Sequence, residues 1–238
     1  MNIAILPILK DNYAYILTDG SGSAAVIDPG DAAPVIDFLE KSNLKLSYIL
    51  NTHHHGDHTA GNRALQQRYR ASIVAPAREA GKIDGVDVAV TAETGWRWDA
   101  IAVRVLETPG HTLGWACYYI PAEKALFTGD TLFSLGCGRL FEGTAAQMWQ
   151  SLTAIMALPD DTQIYCGHEY TLSNAKFCLH VEPDNADLKA RVAEAEALRA
   201  QNRPTLPVSL AREKKTNVFL RAESAARFAE LRAMKDRF

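Results

Sequence analysis

The residues best suited to chemistry in this sequence are histidines and aspartates. The densest run is Thr52-His53-His54-His55-Gly56-Asp57-His58. It follows the apolar stretch Tyr48-Ile49-Leu50, so it begins where a strand ends. Open α/β sheets place their ligand sites at such strand ends. In an extended segment, residues two apart point to one side, which pairs His53 with His55 and turns His54 away. Asp57 and His58 then open the next helix and face a second position. Two imidazoles for one ion, with a carboxylate and an imidazole for another, make a two-centre layout. The mixed nitrogen and oxygen donors suit zinc first, with iron(II) or manganese(II) as further options. Three more candidates stand after small-residue turns: His111 after Thr108-Pro109-Gly110, Asp130 after Thr128-Gly129, and His168 after Cys166-Gly167. Asp130 is the natural bridge between two ions. A lone histidine after glycine is ordinarily solvated, but four such segments in this order are hard to reach by chance. His180 falls mid-helix and reads as a structural or substrate-pocket residue rather than a metal ligand.

These side chains need a sheet to present them. Strand-length runs bounded by turn residues occur at 13–17, 24–28, 46–51, 73–75, 101–107, 115–120, 125–128 and 164–166. Helical spacing of apolar residues appears at 34–42, 61–70 and 145–158. Mixing of this kind predicts an α/β domain. Beyond Leu172 the character changes. Helices are expected at 173–180, 187–201 and 224–237, with Pro204 and Pro207 in an irregular stretch and no later strand able to join a large sheet.

The 238 residues carry a net charge of −3, with 47% hydrophobic and 22% charged residues, as a folded protein should. That balance speaks against nucleic acid as a charge-driven partner. No apolar run is long enough for a membrane span. The charge is uneven: residues 189–238 hold 12 Lys and Arg against 6 Asp and Glu. The N-terminus lacks a basic region before its apolar residues, and Pro7 interrupts them, so a secretory signal is not expected. Four scattered cysteines form no C-x-x-C pair and read as small core residues of a reduced, cytoplasmic protein. A monomer is the default expectation.

The pattern His53-x-His55-x-Asp57-His58, followed by His111, Asp130 and His168, resembles the metallo-β-lactamase superfamily. Asp28, in Val26-Ile27-Asp28-Pro29-Gly30, looks like its structural aspartate. Gly136-Cys137-Gly138-Arg139-Leu140-Phe141-Glu142-Gly143-Thr144 and Cys166-Gly167-His168-Glu169-Tyr170-Thr171 narrow the resemblance to the glyoxalase II, or hydroxyacylglutathione hydrolase, family. So do His180-Val181-Glu182-Pro183-Asp184-Asn185, Thr216–Arg221 and the ending Arg232–Asp236. The implied fold is a four-layer αβ/βα sandwich over residues 1–168 with a helical, glutathione-binding domain over 169–238. The implied cofactors are two divalent metal ions. His53, His55 and His111 would hold one, and Asp57, His58 and His168 the other, with Asp130 bridging.

The resemblance also implies a reaction: hydrolysis of an S-(2-hydroxyacyl)glutathione, chiefly S-D-lactoylglutathione. Asp57 and Asp130 are the expected catalytic residues, with Asp57 orienting a hydroxide made at neutral pH between two ions. The expected substrate contacts are Arg139, Leu140, Phe141, His168, Glu169, Tyr170, Arg232 and Lys235. Many members carry Lys and Tyr where this chain has Arg139 and Phe141, so one hydroxyl donor to glutathione is missing. Arg232 and Lys235 are three apart and share a helix face, while Phe228, Leu231 and Phe238 form an apolar stripe expected to dock on the body. The other ten basic residues of the tail read as surface charge. The competing enzyme reading is a glutathione persulfide dioxygenase with a single iron. A β-lactamase, a nuclease and a metal-stabilised binding module fit the sequence less well.

Overall fold

The computed structural model describes residues 1–238. They divide into two compact units, residues 1–107 with 114–123, and residues 108–113 with 124–238.

The first unit holds β1 (Asn2–Ile8), β2 (Asn12–Thr18), β3 (Ser23–Ile27), α1 (Ala32–Lys41), β4 (Lys45–Leu50), α2 (Gly56–Thr59), α3 (Asn62–Tyr69), β5 (Ser72–Pro76), β6 (Val86–Val90), β7 (Trp96–Trp98), β8 (Ile101–Glu107) and β9 (Ala116–Ile120). The first six strands form one sheet in chain order. Pairing is antiparallel across β1, β2 and β3, then parallel from β3 through β6. Ile27 of β3 lies opposite Leu50 of β4. Parallel neighbours end together, so this register delivers Asp28 and Thr52 to the same sheet end. The core joins Val26, Ile49 and Ile73 to Val35 and Leu39 of α1 and Leu65 of α3. Each fully buried aliphatic side chain contributes ~1.5–3 kcal/mol, which ties both helices to the sheet. Asp31 caps α1 by accepting from the Ala33 N–H. Strands β7, β8 and β9 form an antiparallel ladder.

The second unit holds β10 (Ala125–Gly129), β11 (Leu132–Phe133), β12 (Gly136–Cys137), α4 (Ala145–Met156), β13 (Gln163–Cys166), α5 (Thr171–Val181), α6 (Ala186–Ala200), β14 (Val208–Ser209), α7 (Leu210–Thr216) and α8 (Ala225–Arg237). Strand β10 runs parallel to β13, with Gly129 opposite Cys166. Asp130 and His168 therefore leave the sheet at one end, as Asp28 and Thr52 do in the first unit. Thr144 and Gln147 form a capping box on α4.

The three expected tail helices match α5, α6 and α8 to within two residues. Three expectations need correction. The tail does supply a strand: β14 is only two residues long, yet it pairs antiparallel with β13. Phe228 and Leu231 are buried, but Phe238 is 60% exposed because it lies beyond the last helical turn. His180 sits in the last turn of α5 and is exposed. All four cysteines are buried and unbridged, as expected of core residues. No helix is long and apolar enough to cross a membrane.

Candidate metal centre

In the first unit, Asp28 organises the histidine run. It is buried, and its backbone takes φ +51°, a conformation Asp tolerates better than most residues. One carboxylate oxygen accepts the Thr52 N–H at 2.8 Å. The other accepts the Thr52 hydroxyl at 2.8 Å and stands 3.0 Å from His58 Nδ1. An ionised carboxylate only accepts, so His58 must carry its proton on Nδ1. Its Nε2 is then the nitrogen available to an ion. The same logic passes on to His53. Thr52 spends its only hydroxyl proton on Asp28, and its oxygen lies 3.1 Å from His53 Nδ1. That oxygen must accept, so His53 is also an Nδ1–H tautomer and presents Nε2.

The three rings converge: the His53 centroid is 4.5 Å from that of His55 and 4.3 Å from that of His58. Trp115 stacks on His53 with ring centroids 3.6 Å apart. Asn12 donates to Asp57 Oδ2 at 3.0 Å. Asp57 Oδ2 lies 3.6 Å from His58 Nε2, and the Asp57 side chain is 42% exposed. His54 does turn away, as its alternation predicts. Its Nδ1 meets the buried carboxylate of Glu79.

In the second unit, Asp130 stands between two imidazoles. Its Oδ2 is 3.7 Å from His111 Nε2 and 3.4 Å from His168 Nε2. His111 Nδ1 donates to the Arg139 carbonyl at 2.8 Å, so in the neutral ring Nε2 is the nitrogen that carries no proton. The loop that carries this carbonyl passes close to Asp130. A Cβ at Gly138 would lie 1.9 Å from the Asp130 carbonyl oxygen, so only glycine fits there. His168 stacks on Tyr170 with ring centroids 4.6 Å apart and 6° between planes. All seven expected ligands are side chains able to hold an ion.

The remaining expected site residues fall into two groups. Arg139 and Phe141 are 61% exposed, and the Phe141 ring meets His111 edge-on at 5.0 Å. Lys235 is half-buried over the Phe177 and Phe238 rings, and burial and Arg232 lower its pKa. Leu140 is partly buried. Arg232 and Glu169 are engaged within the unit. Arg232 is 6% exposed, donates to the Cys137 carbonyl at 3.0 Å and pairs with Asp236 at 2.9 Å. Glu169 accepts from the N–H and hydroxyl of Thr205 at 2.9 and 2.8 Å. The tail also holds a buried cation that reads as surface charge in the sequence. Arg191 is 2% exposed and donates to the Thr205 carbonyl and the Ser134 hydroxyl. Buried Glu213 accepts from that same hydroxyl, and burial raises its pKa.

Comparison with known proteins decides the family. The model of the metallo-β-lactamase superfamily matches residues 9–168, and the model of the hydroxyacylglutathione hydrolase C-terminus matches 169–238. A hydroxyacylglutathione hydrolase of Pelagibacter ubique is 45% identical, with both chains covered in full. The chain belongs to the hydroxyacylglutathione hydrolase family. A family member from Rhizobium meliloti is 49% identical over 96% of this chain and 95% of its own. One from Acidiphilium cryptum is 50% identical over 99% and 96%. Among solved structures, ETHE1 from Myxococcus xanthus has a TM-score of 0.74 at 26% identity, covering 98% of this chain and 90% of its own. The BLEG-1 B3 metallo-β-lactamase has a TM-score of 0.71 at 23% identity, covering 92% and 99%. TTHA1623 in a di-iron-bound form has a TM-score of 0.58 at 26% identity, covering 71% and 92%. The expected metallo-β-lactamase fold with a helical C-terminal region therefore holds.

Proposed function

We propose that this chain hydrolyses the thioester of S-(2-hydroxyacyl)glutathione, chiefly S-D-lactoylglutathione, to glutathione and D-lactate, the second step of methylglyoxal detoxification. The observation that carries this reading is the match of both family models, contiguous over residues 9–238 and including the C-terminal module. We read residues 1–168 as the catalytic domain, 169–238 as the glutathione-binding domain, and the chain as a cytoplasmic monomer.

The donors fit a pair of divalent cations. They are imidazoles, with Nδ1 of His53, His58 and His111 held by the protein, together with carboxylates, the set that zinc prefers and iron(II) or manganese(II) accept. His53, His55 and His111 would hold one ion, Asp57, His58 and His168 the other, and Asp130 both. When bound, two such ions supply hydroxide at neutral pH and polarise an acyl oxygen. The residues around them do the rest. Asp28 and Thr52 hold the ligand rings in the tautomer that ligates. Asn12 holds Oδ2 of Asp57, leaving that carboxylate oriented to accept a proton from the attacking water. The leaving thiolate of glutathione, with a pKa of ~8.5 if it resembles free cysteine, departs without a strong general acid.

Glutathione is a net anion, and exposed Arg139 and half-buried Lys235 suit its carboxylates. Tyr170, stacked on His168, and Phe141, edge-on to His111, offer ring surface, Leu140 adds apolar contact, and Arg232 holds the 137–139 segment through the Cys137 carbonyl. The test is thiol release from S-D-lactoylglutathione by the purified chain, alongside its Asp57→Asn variant. Rapid release by the wild type and a large loss of kcat in the variant are expected. Consumption of oxygen with one iron per chain, and no thioester cleavage, would replace this reading with the persulfide dioxygenase.

A further inference from the structure

Glu79 belongs to no ligand or substrate set above, yet it is the one acidic side chain of the first unit that is fully buried at 0% exposure. It lies just past β5, in a turn closed by its own N–H donating to the Pro76 carbonyl at 2.8 Å. Burying a carboxylate costs several kcal/mol unless the group is bonded on both oxygens. Here both are used. Oε2 meets His54 Nδ1, and Oε1 accepts the Gly114 N–H at 3.0 Å. One carboxylate thus clips together two segments far apart in the chain.

What those segments carry gives the clip its meaning. His54 lies between His53 and His55, so anchoring its ring anchors the peptide that presents both. Gly114 precedes Trp115, whose indole stacks on the His53 ring at 3.6 Å with 29° between planes. The Ala116 N–H also donates to the Thr52 carbonyl at 3.2 Å, so the 114–116 segment runs alongside the ligand run. The fit at Gly114 is close: a Cβ there would lie 2.6 Å from Glu79 Oε1. Glycine at 114 and glutamate at 79 are therefore matched to each other. The middle histidine of the run, which alternation turns away from His53 and His55, is received by this buried carboxylate.

We propose that Glu79 is a positioning residue for metal binding, acting through His54 and through Gly114–Trp115 to hold His53 and His55 in ligating geometry. This rests on the reading of His53 and His55 as ligands. Groups that orient ligands are typically worth about 10–100-fold in affinity or activity, and Glu79 acts on two ligands at one remove.

The test uses the full chain loaded with zinc. The rate of zinc loss to an excess of EDTA is followed well below the melting temperature, and kcat and KM for the thioester are measured on fully loaded samples. Glu79→Ala is expected to lose zinc about 10-fold faster than wild type, with lower kcat and a KM within about twofold. His54→Ala removes one arm of the clip and is expected to show a smaller acceleration, which keeps the test informative if Glu79→Ala does not fold. Glu79→Gln keeps an acceptor for the Gly114 N–H and is expected to restore part of the zinc retention. A purely structural role predicts a lower melting temperature with zinc loss and kcat unchanged in every variant, and that result overturns the proposal. A wild-type chain that takes up no zinc, iron or manganese overturns both this proposal and the metal-centre reading. Normal zinc retention by the wild type with no effect in the variants overturns the role of Glu79 alone.

Discussion

Replacing Asp28 by Asn changes one oxygen into an amide group and leaves the backbone undisturbed, because Asn tolerates the φ of +51° found there. Three donors meet the native carboxylate: the Thr52 N–H, the Thr52 hydroxyl and His58 Nδ1. An amide cannot serve all three. If its oxygen keeps the Thr52 N–H, its NH2 faces His58 Nδ1 and forces that nitrogen to accept. The His58 proton then moves to Nε2, the atom needed for a metal. If the amide turns over, its NH2 faces the Thr52 N–H and a buried donor is left unmet. Either way one hydrogen bond to a charged group is lost, worth ~1.5–3 kcal/mol. Expressed as affinity, that is about 10- to 140-fold weaker metal binding. Competition against a chromophoric zinc chelator at neutral pH measures it directly. Asp28→Asn binding within about threefold of wild type, in a folded protein, would refute the tautomer argument.

Three further outcomes follow from the same geometry. Asn12→Ala removes the amide that holds Asp57 Oδ2; kcat should fall about tenfold with KM little changed, and steady-state kinetics on the loaded enzyme separate the two. Phe141→Tyr returns a hydroxyl donor at an exposed ring beside His111; a neutral hydrogen bond worth ~0.5–1.5 kcal/mol should lower KM by about two- to tenfold while metal content stays constant. Burial pushes the thiols of Cys166 and Cys178 up to about 12 and that of Cys137 to about 11, so a thiol reagent at neutral pH should leave the folded chain untouched and label all four cysteines once it is unfolded.

The elements that carry the expected ligands are the legible ones. Strand β4 running into Thr52-His53, and Gly129-Asp130 and Gly167-His168 after β10 and β13, announce themselves because a buried strand must end in a turn. Elements without that contrast were hidden. Strand β1 contains Pro7, which reads as a breaker, but β1 is an edge strand and needs hydrogen bonds on one side only. Helix α7 is mostly charged and lacks an apolar period; the Ser209 cap, which accepts from the Arg212 N–H, and buried Glu213 hold it instead. Strand β14 is too short to stand out from its prolines. The groups that orient the ligands were equally silent. Asn12 is 45 residues from Asp57 and Glu79 is 25 from His54, and nothing in a polar residue's identity says which distant side chain it will meet. Arg232 shows a further limit. Its helical spacing from Lys235 is right, but spacing says nothing of how deeply a cation is buried or that Arg232 also bonds to the Cys137 carbonyl.

The most direct test of the central claim is a metal titration of activity. Metal-free chain is reconstituted with increasing zinc, and the rate of S-D-lactoylglutathione hydrolysis is recorded against the zinc bound per chain. Hydrolysis that rises to a plateau at two ions per chain, and returns to baseline when they are removed, is the result predicted here. A chain that binds two ions and leaves the thioester intact would contradict it.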